Sequence, residues 1–198
     1  METVVQGARR VAHWSQWFGG ALVLLAAVLI GIDVVMRKLF SASIGGADEL
    51  AGYALALGTA WALAAALVER AHIRIDSLYV LLPRGLRFIL DVAGLVLLVA
   101  FFGLVAWHGW SMVAQSWAAH SRSQSALQTP IVIPQFIWLL GLIVFVAIGS
   151  LLLVYAVQLA ARGQHSAVAK AISTRSAEEE VEEEVRDLEK RSAHEGDR

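Results

Sequence analysis

The chain alternates between four long apolar segments and short polar ones. An α-helix rises about 1.5 Å per residue, so about 20 apolar residues cross a hydrocarbon core of roughly 30 Å. Apolar runs that contain no Asp, Glu, Lys, Arg or His cover residues 14–32, 50–68, 92–107 and 131–161. With their apolar flanks they predict membrane-spanning helices at about 14–36, 49–68, 86–113 and 131–160.

Composition supports an all-α integral membrane protein. Charged residues make up 17% of the 198 positions and the mean hydropathy is +0.62, whereas soluble domains are about 25% charged. The chain has no cysteine, which excludes disulfides, thiolate metal sites and cysteine nucleophiles. A net charge of −1 does not point to a nucleic-acid partner.

The distribution of basic residues predicts the orientation, because loops rich in Lys and Arg stay in the cytoplasm. Three of these residues, Arg37, Lys38 and Arg122, lie in the first and third links. Nine lie before the first span, in the second link or just after the fourth span: Arg9, Arg10, Arg70, Arg74, Arg84, Arg87, Arg162, Lys170 and Arg175. We therefore expect four transmembrane helices with both termini in the cytoplasm.

Two polar segments flank or interrupt this membrane domain of residues 1–162. In the link 69–87, Ile75, Leu78, Tyr79 and Leu82 recur at helical spacing. They predict either an interfacial helix on the bilayer surface or a plain turn. Residues 163–198 form an acidic tail, for which we expect disorder or a short solvated helix.

The second span carries a ridge of small residues, spaced every four positions: Ala54, Gly58, Ala62 and Ala66. In lipid, small residues let helix backbones approach closely and gain dispersion contacts. This spacing predicts that the second helix packs inside a bundle.

Ionisable residues at the ends of the spans are expected to be structural. Asp33 precedes Arg37 by four residues, and Arg87 precedes Asp91 by four, so each pair can neutralise itself on one helix face. Asp48 and Glu49 begin the second span, where carboxylates can cap backbone N–H groups and meet the positive end of the helix dipole.

Histidines raise the alternative of a membrane anchor of a redox enzyme, plain or haem-binding, since such anchors use paired axial histidines. The candidates are His13, His72, His108 and His120. The predicted topology gives no pair at matching depth near the middle of the membrane. Motifs of nucleotide-binding loops and hydrolases are missing as well. We therefore predict no enzyme, no cofactor and no metal site.

Two motifs, placed on either side of the second span, resemble a known family. They are Gly46-Ala47-Asp48-Glu49-Leu50-Ala51-x-Tyr53 and Ala71-His72-Ile73-Arg74-Ile75-Asp76. Together with Asp33 to Phe40 and the prolines before the third and fourth spans, they resemble the small DctQ-type membrane subunit of tripartite ATP-independent periplasmic (TRAP) transporters. The likeness covers roughly residues 14–160.

The resemblance implies a sodium-driven secondary transporter of organic acids in a bacterial inner membrane. Its partners would be a large membrane subunit, a periplasmic substrate-binding protein and membrane lipids. The small subunit would be the fixed support that braces the large one and helps dock the binding protein. Asp48, Glu49 and Tyr53 would organise the outer start of the second helix. Arg74 and Asp76 would fix the inner link at the headgroups.

Overall fold

Four long α-helices make up the computed structural model, which describes residues 2–69 and 82–163 together with Val185 and Leu188. The helices are α1 (Glu2–Phe40), α2 (Ala47–Val68), α3 (Arg84–Ala118) and α4 (Val132–Ala161). Each is long and apolar enough to cross a membrane. Over the described residues, this confirms the prediction of an all-α fold with four potential spans. The expected interfacial helix, Arg74, Asp76 and nearly all of the acidic tail lie outside the described residues.

The helices extend past most of the predicted spans. α1 begins at Glu2 rather than near residue 14, and α3 runs to Ala118 rather than 113. Hydropathy marks the part of a helix that matches hydrocarbon, whereas backbone hydrogen bonding continues through polar flanks. α4 begins at Val132 with Pro134 in its first turn, where the missing N–H would have no partner inside the helix.

The helices pack as a row in the order α1, α2, α4, α3. Successive helices in the chain run in opposite directions. The N-termini of α2 and α4 therefore lie on the same side of the row as the C-termini of α1 and α3. A shared core of small and large side chains, including Ala64, Phe145 and Leu152, joins the inner helices to their neighbours. The outer helices α1 and α3 instead expose broad apolar faces, as helices surrounded by lipid do.

Trp61 joins three of the helices. From α2, its indole Nε1 donates a hydrogen bond of 3.0 Å to the carbonyl of Ile137 in α4. Its ring also meets Phe18 of α1 edge to face, with the ring centroids 5.2 Å apart. The indole lies against Gly141, so a side chain at that position would displace it. Trp61 is therefore a fixed point for α1, α2 and α4.

Close backbone approach holds α1 against α2. A Cβ atom added to Gly19 would lie 2.5 Å from the carbonyl oxygen of Gly58, and one added to Gly58 would lie 2.9 Å from the carbonyl oxygen of Gly19. Backbone atoms cannot move aside as a flexible side chain can. Only glycine at both positions allows this contact, which maximises dispersion where lipid supplies little hydrophobic driving force.

We expect Gly19→Ala to lower the free energy of unfolding by about 1–3 kcal/mol, because the new methyl group overpacks the α1–α2 contact. Its matched control is Gly20→Ala, since a Cβ at Gly20 meets nothing within 4 Å. The control should leave stability unchanged or raise it slightly through better helix propensity. Thermal unfolding in detergent, followed by circular dichroism, measures both; equal melting temperatures would contradict the assigned contact.

Candidate functional site

Two interhelical connections meet on the side of the row where α1 and α3 end and α2 and α4 begin. They are residues 41–46, between α1 and α2, and residues 119–131, between α3 and α4. The side chain of Leu127 lies directly over Gly46, and a Cβ on Gly45 would be 3.4 Å from that of Ala126. We call these two connections together the cap.

Asp33 secures the first connection. Its side chain is only 2% exposed, and its Oδ1 accepts hydrogen bonds from the hydroxyl of Ser43 at 2.9 Å and the backbone N–H of Ile44 at 2.6 Å. Its Oδ2 forms an ion pair with Arg37, one helical turn further along. The chain after Phe40 therefore folds back along α1, because one buried carboxylate satisfies donors from both the helix and the connection.

Glu49 ties the second connection to α2. One carboxylate oxygen accepts a hydrogen bond of 2.7 Å from the hydroxyl of Tyr53, and the other accepts one from the hydroxyl of Ser125. Ser123 and Thr129 face the same carboxylate. This half-buried group is thus the centre of a polar cluster that joins α2 to the 119–131 connection.

The expected capping by Asp48 and Glu49 is not seen. Gly46 is the N-cap residue of α2 and has no side chain to offer. The N–H of Ala47 donates to the carbonyl of Ile44, and that of Leu50 donates to the carbonyl of Gly46. Local backbone contacts thus satisfy these donors and leave Glu49 free to bind the neighbouring connection. Both carboxylates remain in the first turn, where the helix dipole favours negative charge.

Gly46 is required for two reasons. Its φ of 92° is left-handed, a conformation that glycine adopts without the steric cost borne by other residues. A Cβ at this position would also overlap the side chain of Leu127. Gly46 therefore turns the chain into α2 and also contacts the second connection through Leu127.

Backbone hydrogen bonds give the 119–131 connection a shape of its own. Arg122 and Pro130 form an isolated antiparallel bridge. The N–H of Ser123 donates to the carbonyl of Thr129 at 2.9 Å, and the N–H of Ile131 donates to that of Ser121 at 3.2 Å. The hydroxyl of Ser125 also accepts from the N–H of Leu127 at 3.1 Å. The connection is a folded loop rather than an open tether.

The four members of the small-residue ridge lie in different environments. Gly58 is buried against α1, whereas Ala54, Ala62 and Ala66 are half-buried. The small residues that α2 buries most completely are other alanines: Ala47, Ala60, Ala64 and Ala65. Because α1 and α4 pack on different sides of α2, small residues lie on two faces of this helix rather than along a single ridge.

The remaining predicted polar residues occupy separate places. Asp48 is exposed at the cap, and its charge attracts Arg37. At the other end of the row, the Nε of Arg87 donates to the carbonyl of Leu82 at 2.7 Å, and Asp91 is 3% exposed. The predicted ion pair between Arg87 and Asp91 stays a prediction.

The histidines in the described residues do not come together. The Nε2 atom of His13 accepts a hydrogen bond of 3.0 Å from the indole of Trp17, and His108 and His120 are exposed. His72 lies outside the described residues. Within residues 2–69 and 82–163 no three side chains of His, Asp or Glu group in a way that could hold a metal ion.

The sequence indicated Asp48, Glu49 and Tyr53 but not Ser125, the partner of Glu49 across the cap. Ser125 lies 76 positions after Glu49, in a stretch whose serines and glutamines indicate only a polar loop. Trp61 and Gly19 were missed as well, because their contacts depend on which helices are neighbours. The available signal was the unusual serine content of the 119–131 connection.

We expect Asp33→Asn to lower the free energy of unfolding by about 2–3 kcal/mol, because the amide loses the ion pair and can accept fewer charge-assisted hydrogen bonds. Arg37→Gln should cost less, since the Arg37 side chain is 55% exposed and water solvates it in either state. Asp48→Asn is the exposed control and should change stability least. Thermal unfolding in detergent ranks the three; a loss for Arg37→Gln as large as that for Asp33→Asn would refute this account.

We expect Ser125→Ala to loosen the cap without unfolding the helices, because the Glu49 carboxylate loses a donor and the loop loses a local hydrogen bond. A loss of about 1–3 kcal/mol in local stability should speed backbone amide exchange in residues 121–131 by roughly 5- to 100-fold. Gln124→Ala, at an exposed neighbouring position, is the matched control. Hydrogen exchange with mass spectrometry gives the comparison, and equal rates in the two variants would show that the hydroxyl does not hold the loop.

Comparison with known proteins identifies the fold family. The sequence model of the family described as "Tripartite ATP-independent periplasmic transporters, DctQ component" matches residues 24–163. The match covers α2, α3 and α4, the C-terminal part of α1 and both halves of the cap. No curated protein and no solved structure matches the chain. The chain belongs to the DctQ family, the small membrane subunits of tripartite ATP-independent periplasmic transporters.

Proposed function

We propose that this chain is the fixed support of a sodium-driven transporter of organic acids. It braces the large membrane subunit in a bacterial inner membrane and helps dock a periplasmic substrate-binding protein at the cap. The observation that carries this proposal is the family match over residues 24–163. Association with other TRAP components follows from the family, whereas the substrate class, the coupling ion and the docking site are proposed here.

The packing of the row supports a bracing role. Trp61 links three helices, and Gly19 and Gly58 bring two backbones into direct contact. Closely packed interfaces transmit force and do not deform continuously. A subunit with such interfaces gives a moving partner a stationary surface, and the exposed apolar faces of α1 and α3 are available to that partner and to lipid.

The position of the cap supports a docking role. Both termini are cytoplasmic in this proposal, because Arg9, Arg10, Arg87 and Arg162 lie at the ends of the helices opposite the cap. The cap then faces the compartment that holds the binding protein. Arg122 is an exposed charge on the cap, and Lys38 and Asp48 are exposed on the helix ends beside it. Rim charges of this kind steer association and fix the orientation of a partner.

Reconstitution tests the bracing role. Proteoliposomes that hold the large subunit with this chain, supplied with binding protein and a sodium gradient, should take up an organic acid. Vesicles that hold the large subunit alone should take up much less. Equal uptake by the two preparations would refute the support function. Replacing sodium by potassium in the gradient tests the coupling ion separately.

We expect Asp48→Lys to lower uptake by roughly three- to tenfold when binding protein is limiting, because a reversed charge at the cap weakens docking by about 1 kcal/mol. Glu69→Lys is the matched control, since Glu69 is an exposed acid at the opposite end of α2. Excess binding protein should restore uptake by Asp48→Lys. Unchanged uptake, or a defect that excess binding protein does not correct, would place docking elsewhere.

A further inference from the structure

Contacts between neighbouring helices fix which residues lie level along the row. Gly19 of α1 lies against Gly58 of α2. Gly149 of α4 lies against both Leu67 of α2 and Val99 of α3. Heights on all four helices can therefore be compared on one scale, for which we use the residue numbers of α2.

Within the helices, the runs that contain no Asp, Glu, Lys, Arg or His are not level with one another. On the α2 scale, a rise of about 1.5 Å per residue places the middle of 14–32 in α1 at about position 54 and that of 50–68 in α2 at about position 59. The middle of 131–161 in α4 falls at about position 64 and that of 92–107 in α3 at about position 66. The four midpoints thus shift in one direction across the row, by about 12 residues or roughly 18 Å in total.

Exposed side chains on the two outer helices show the same offset. Arg9 and Arg10 of α1 are exposed and lie level with the region of Leu97, which is 69% exposed in the middle of the uncharged run of α3. Towards the cap the relation is reversed. Gln115 of α3 is exposed and lies level with Leu25 of α1, which is 65% exposed.

An upright row cannot satisfy both outer helices. In an upright row, Arg9 and Leu97 would lie at the same depth, as would Gln115 and Leu25. Within each pair, either the polar side chain would lie in hydrocarbon or the exposed leucine would lie in water. Both outcomes are unfavourable. Tilting the row in its own plane lowers one outer helix relative to the other and removes both conflicts at once.

We propose that the row lies obliquely in the bilayer, tilted by about 35°, so that its lipid-facing belt crosses the four helices diagonally. The angle follows from an offset of about 18 Å across three interhelical distances of roughly 9 Å each. It lies within the range of about 0–40° found for transmembrane helices. The tilt brings Arg9 and Arg87 to one membrane surface, and Arg37 and Gln115 to the other.

Depth measurements with spin labels test this tilt directly, and the chain has no cysteine to remove first. Single labels are attached at Leu24→Cys and Ala114→Cys, which are level on α1 and α3, and at Leu97→Cys and Gly7→Cys, which form a second level pair. All four positions are exposed, so the labels leave the helix contacts intact. The full chain is assembled with the large subunit in vesicles of phosphatidylethanolamine and phosphatidylglycerol.

Relative collision rates with oxygen and a water-soluble nickel complex report the depth of each label. The tilted row predicts deep labels at Leu24 and Leu97 and shallow ones at Ala114 and Gly7, with a difference of roughly 15 Å within each pair. Equal depths within each pair would overturn the proposal. Equal depths would mean that the row stands upright. Another protein would then cover the exposed residues whose contact with lipid or water would be unfavourable. The measurement does not depend on uptake, so it stands apart from the test of the support function.

Discussion

The helices of this protein must pack together in lipid, which is as apolar as their own side chains, and this constraint shapes the structure. Lipid supplies little hydrophobic driving force between helices, so the row is held by close dispersion contacts and by polar groups that find partners. Gly19 and Gly58 supply the first, through backbones in contact, and Trp61 supplies the second, through its hydrogen bond to α4. The inner helices α2 and α4 carry the shared core, while α1 and α3 expose their apolar faces.

Two carboxylates organise the cap by the same principle. Asp33 folds the first connection back along α1, and Glu49 draws the second connection onto α2. Asp33 accepts hydrogen bonds from the connection that follows its own helix, whereas Glu49 accepts one from the connection between α3 and α4. Through Glu49 the cap joins one helix pair to the other. A folded end of this kind supports the proposed role of a stationary subunit with a docking surface for a soluble protein.

The sequence was sufficient to predict the class of fold, because uncharged runs of membrane length report helices whatever their neighbours are. It also located Asp48, Glu49 and Tyr53 at the start of α2 and paired Asp33 with Arg37, since both relations are local. It could not show that Glu49 binds Ser125 or that Gly19 meets Gly58, because those contacts depend on the order of helices in the row. The capping expectation was wrong because Gly46 occupies the N-cap position and leaves Glu49 for the neighbouring connection.

Distances measured during transport test the central claim of a fixed support most directly. Spin labels at Leu39→Cys on α1 and Gln124→Cys in the cap, in the assembled transporter, report whether the two helix pairs move relative to each other. The account predicts the same distance, within about 2 Å, with sodium alone and with sodium, substrate and binding protein present. A shift of about 5 Å, the rise of one helical turn, would contradict it, because the subunit would then be a moving part.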